Sequence, residues 1–109
     1  MRAYGLILAA FVLVALPLGA QAKALGNNDR FMCSWGSDMA AGAQQSKLSG
    51  VTLYTARKRL QVRKFAKPWM RMTAMGITEQ TYSSSSRLKP AAIKQTYYEQ
   101  CVSHALARR

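Results

Sequence analysis

Phe31, Trp35, Met39 and Ala43 recur at every fourth position, drawing one apolar stripe that drifts only about 40° per step around a helix. Cys33 and Ala40, seven residues apart, widen this stripe on one side and point the sulfur toward the same packed region. Asp29 stands ahead of the stripe as an N-cap, and Gly50 behind it accepts left-handed backbone, which predicts a first helix from Asp29 to about Ser49. Thr52 offers its hydroxyl to cap a second helix, and Leu53 to Phe65 is rich in straight-chain residues without the alternation of a strand. Pro68 disfavours helical geometry at Lys67 and suits the first turn of a new helix, so a third helix is expected from Pro68 to about Tyr82. Trp69, Met70, Met72, Met75, Ile77 and Tyr82 fall around most of its circumference, as in a largely buried element. The tetraserine Ser83 to Ser86 reads as a polar loop, and Pro90 marks another helix start. Ile93, Tyr97, Cys101 and Ala105 then repeat at four-residue spacing in a last helix.

The start of the chain follows a different pattern. Arg2 precedes an apolar run from Tyr4 to Leu16, followed by Pro17, Gly19 and the triplet Ala20-Gln21-Ala22. These are the charged, apolar and small-residue parts of a secretory signal peptide over residues 1–22, with cleavage expected after Ala22 and a second possible site after Ala24. The competing expectation is an uncleaved anchor, since Ala3 to Ala20 approaches the roughly 18 residues that span a bilayer; Pro17 and Gly19 weigh against it. With the signal removed, no transmembrane segment is expected. Residues 23–28 are small, polar or flexible and read as a leader, and residues 29–109 as a single helical domain.

Export gives the two cysteines, Cys33 and Cys101, an oxidising compartment, and an even count there implies one disulfide. On chain-entropy grounds, closing so long a loop stabilises a small domain by about 4 kcal/mol. The bridge also tests the helix count. Cys33 lies near the start of the first helix and Cys101 toward the end of the last, and in an up-down bundle with short loops those ends meet only if the number of helices is even. The expected fold is therefore all-α: a small four-helix up-down bundle stapled by Cys33 and Cys101 and preceded by a signal peptide.

Charge adds a candidate function. The chain carries 16 basic and 4 acidic residues, and all but Arg2 of these lie beyond residue 22, so the net charge falls only from +12 to +11 on cleavage. Arg57, Lys58, Arg59, Arg63, Lys64, Lys67 and Arg71 crowd into one stretch with no acid between Asp38 and Glu79. Such a cluster can hold phosphates through charge and counterion release, whether on lipid A, an anionic membrane or another polyanion. The plainer role is a solvated face that keeps a small domain soluble. On a continuous helix Arg57, Arg59, Arg63, Lys64 and Lys67 share one broad arc with Leu53, Ala56 and Leu60, while Lys58 lies opposite, which segregates less well than a membrane-surface helix. Export directs the cluster away from intracellular nucleic acid.

Other chemistry is sparse. The spacing of Met70, Met72 and Met75 is that of thioether ligands for Cu(I), but Met70 and Met72 point about 200° apart on a helix, so core filling is the expectation. Trp35 and Trp69 read as core anchors. His104 is the single histidine and sits near a helix C-terminus, where a cation suits the dipole; Cys101, its neighbour one turn earlier, is spoken for by Cys33. Asp29, Asp38, Glu79 and Glu99 form no paired-carboxylate pattern, and glycine-rich phosphate loops and zinc spacings are absent. No metal, cofactor or catalytic residue is expected. In layout, a signal peptide before a short helical domain with one disulfide, the chain resembles small acid-stress chaperones of the bacterial periplasm. That likeness consists of size and cysteine count, and it carries no functional positions across. The expectation is a periplasmic or secreted, non-enzymatic protein with a basic surface for an anionic partner. The alternative is a periplasmic stress chaperone or an inhibitor of another exported protein.

Overall fold

The computed structural model describes residues 25–108, and among them every regular element is helical: α1 (Asn27–Leu48), α2 (Leu53–Val62), α3 (Pro68–Ser83) and α4 (Pro90–Ala107). The expected signal peptide lies outside the described residues, as do Lys23 and Ala24 of the expected leader.

Local signals set most helix ends. Gly50 takes φ +86, and the Ser49, Gly50 and Val51 amides donate to Gln45, Lys47 and Ser46 carbonyls, closing α1 in a left-handed cap. The Thr52 hydroxyl accepts from the Thr55 amide at 3.1 Å and opens α2. Lys67 is extended at φ −133 and ψ 145, the geometry that Pro68 imposes on its predecessor, and Pro68 and Pro90 both occupy first-turn positions. Two boundaries differ from expectation. α1 begins at Asn27 behind an uncapped Gly26, so Asp29 is a first-turn acid rather than the N-cap, and the end of the expected leader is helical. α2 stops at Val62, three residues before Phe65, because Arg63 turns extended and Phe65 swings out to meet Trp35 in a T-shaped contact, with ring centroids 6.3 Å apart.

The helices run up and down alternately. Cys33 bonded to Cys101, Asp38 paired with Lys94, and Gln44 reaching the Leu88 carbonyl set α1 antiparallel to α4. Trp35 against Trp69, and Lys47 at the Thr81 carbonyl, set α1 parallel to α3. Arg57 with Glu79, and Tyr82 with the Val51 carbonyl, set α2 antiparallel to α3. α1 is thus the hub, packed on α4 and α3, and α2 is carried chiefly by α3. The disulfide forms as expected, with Cα atoms 5.5 Å apart.

The core of α1 is rotated from the stripe that its large residues draw. Cys33, Ser37, Ala40 and Gln44 are its most buried residues, whereas Phe31 is half exposed and Trp35 and Met39 lie at the margin. Volume explains the shift. Gly36 lies so near Tyr97 that a Cβ there would meet the ring at 2.8 Å, a closeness that bulky side chains would forbid. In α3, Met70, Ala74, Ile77 and Thr78 face inward, but Met72 is 80% exposed, so the helix is not buried all round.

Two polar side chains of α1 secure the turn between α3 and α4. Gln44, wholly buried, donates to the carbonyls of Ser86 at 3.1 Å and Leu88 at 2.8 Å. The Lys47 ammonium donates to the carbonyls of Thr81, Ser84 and Ser86, each at 3.0 Å, and so neutralises the exposed end of α3.

Candidate functional site

The basic stretch folds around the α2–α3 turn, and its seven cations take different roles. Arg57 faces Glu79 at 3.7 Å in an exposed pair, a geometry that contributes little to stability in water. The Lys58 ammonium stands 5.4 Å from the Tyr54 ring centroid. Arg63 and Arg71 close over Phe65 at 5.2 and 5.5 Å, attracted by its ring quadrupole. Arg71 also donates from Nη2 to the Arg63 carbonyl at 2.8 Å and from Nε to the Leu60 carbonyl at 3.4 Å, capping the last turn of α2 from the neighbouring helix. Among the described residues, the side chains of Lys64 and Lys67 make no hydrogen bond or ion pair, and both residues are exposed.

The single helical arc expected for these residues does not form. α2 ends at Val62, so Lys64 and Lys67 leave the helix and stand on the turn with Arg63, while Lys58 and Arg59 remain on α2. Arg59 lies near Tyr82, whose phenol is held above its ordinary pKa of 10.0 by desolvation, opposed in part by that guanidinium. Arg59 and Arg63 also edge a groove of about 240 Å³ between α1 and α2, floored by Ala43, Ala56 and Thr78.

Beneath the turn lies an aromatic cluster that reading charge and helical spacing separately does not reveal. Trp35 receives Phe65 and Trp69 edge-on, at centroid distances of 6.3 and 5.5 Å. Trp69 remains 36% exposed, so it is a boundary residue rather than the core anchor expected of it. Phe65 is the link: two arginines stand over its ring, and the same ring meets Trp35 in a T-shaped contact. The only available signal was its place between Arg63 and Arg71.

All four acids are engaged. Asp29 meets Arg108 at 3.5 Å, Asp38 meets Lys94 at 2.9 Å, Glu79 meets Arg57, and Glu99 accepts from Gln95. Among the described residues, no ion pair therefore neutralises Lys58, Arg59, Arg63, Lys64, Lys67 or Arg71.

The methionines do not converge, because Met70 is buried and Met72 points to solvent. Among the described residues no three His, Cys, Asp or Glu side chains gather as metal ligands. His104 edges an open groove of about 520 Å³ beside the disulfide, together with Asp29, Tyr97 and Arg108, and Cys101 is bonded to Cys33. No helix among the described residues is long and apolar enough to cross a membrane. No protein family matches this chain, and neither does any curated protein or solved structure.

Proposed function

We propose that the protein is an exported, non-enzymatic binding protein, periplasmic or secreted, whose α2–α3 corner holds an anionic partner. The observation that carries this reading is the set of six cations from Lys58 to Arg71 without a carboxylate partner, in a molecule whose acids are all occupied elsewhere. Pinning Arg63 and Arg71 on Phe65 lowers the conformational entropy lost when they meet an anion. A disulfide suits an oxidising compartment and supports export.

Retention on immobilised polyphosphate tests the reading. Binding should fall linearly on a logarithmic salt scale, and Lys64→Glu with Lys67→Glu should elute at markedly lower salt without loss of helicity. Elution independent of salt, or unchanged by the double reversal, overturns it.

A further inference from the structure

The same corner exposes apolar side chains beside its charges. Val62, the last residue of α2, is 82% exposed, Met72 in α3 is 80% exposed, and Trp69 is over one-third exposed. A turn whose only task was to hold a soluble polyanion has no use for them, since phosphate chains offer nothing apolar to bury. We propose that the α2–α3 corner docks on an anionic lipid bilayer, with Val62, Trp69 and Met72 entering the headgroup region and Arg63, Lys64 and Lys67 pairing with lipid phosphates. This inference rests on the anion-binding reading above and names the bilayer as its partner.

Three observations support the bilayer as occupant. The charge is complementary, with no ion pair to a carboxylate opposing the cations of the turn. The apolar and cationic residues are interleaved across a few residues on either side of one turn, from Val62 to Met72. Both kinds of side chain are thus exposed around one turn, without the two-faced helix that the sequence lacks. Finally, Trp69 presents an indole at the boundary between packed rings and solvent, the amphipathic position that tryptophan occupies at membrane interfaces.

The test compares vesicles of phosphatidylglycerol and phosphatidylcholine with soluble polyphosphate, using the whole protein. The parent protein should bind the anionic vesicles with a blue shift of its tryptophan emission and quenching by brominated lipid, and should ignore pure phosphatidylcholine. Val62→Thr with Met72→Gln keeps every charge and alters two exposed side chains. It should weaken vesicle binding about tenfold, the scale of one buried apolar side chain, and leave polyphosphate binding unchanged. Lys64→Glu with Lys67→Glu should weaken both. If Val62→Thr with Met72→Gln binds vesicles as the parent does, or the bound protein shows no quenching, bilayer docking is overturned while anion binding stands. If the parent binds neither vesicles nor polyphosphate, the anion-binding reading falls and takes this inference with it.

Discussion

Gly36 of α1 lies against the ring of Tyr97 of α4 so closely that a Cβ would fall 2.8 Å from both Cε1 and Oη. Alanine at this position must displace the ring, and overpacking of this kind outweighs the roughly 1 kcal/mol gained in helix propensity. Gly36→Ala should therefore destabilise the protein by about 1–2 kcal/mol in chemical denaturation. Gly42 and Gly76, also helical, have open space around the same atom, and alanine at each should stabilise by about 0.5–1 kcal/mol.

That contact also shows what a helical wheel can and cannot read. Gly50, Thr52, Pro68 and Pro90 act on their own backbone, so turns and helix starts were legible from single residues. The rotation of the α1 core was not. A stripe of apolar character favours Phe31 and Met39, whereas close approach to α4 selects small volume at Gly36, Ser37 and Ala40. The early end of α2 depends on Phe65 finding Trp35, a contact between positions thirty residues apart that no local pattern encodes. Charge was visible as a run of seven residues, but its division into capping, stacked and unpaired side chains required the fold.

Gln44 holds the Ser86 and Leu88 carbonyls from a position without solvent exposure. Leucine there removes both donors from part-buried carbonyls, of which Ser86 keeps the Lys47 ammonium, a loss of about 1 kcal/mol on the scale of such bonds. The midpoint of urea unfolding of Gln44→Leu should fall accordingly, and amide exchange near the start of α4 should quicken before the rest of the protein opens. A midpoint equal to the parent's would show that the α3–α4 turn is held by Lys47 alone.

Tyr82 and Tyr97 are both held above the usual phenol pKa of 10.0, in each case chiefly by desolvation. A raised pKa in the folded state means that the folded protein binds the proton more tightly. The resulting stability is fully present below about pH 10 and is lost as pH rises through the folded values. Denaturation midpoints should thus fall on the alkaline side of about pH 10. In Tyr97→Phe the fall should be shallower, and the late phenolate step in an ultraviolet titration should lose amplitude.

The disulfide spans a sequence separation of 68 residues, a loop whose closure is worth about 4 kcal/mol on chain-entropy grounds. Cys33→Ala with Cys101→Ala should lower the thermal midpoint by about 20 °C, given the sensitivity of domains this small. Reduction of the parent should reproduce the shift, and an unchanged midpoint would mean that the helix contacts suffice.

The same bond sets how the molecule answers a pull. Cys33 lies near the beginning of α1 and Cys101 near the end of α4, so tension applied at residues 27 and 107 runs through two short lengths of helix and one covalent link. The whole of α2 and α3, with the basic corner between them, sits in the slack part of the circuit and bears no load. A molecule held at its ends can be stretched until the first turns fray while the basic corner keeps its shape.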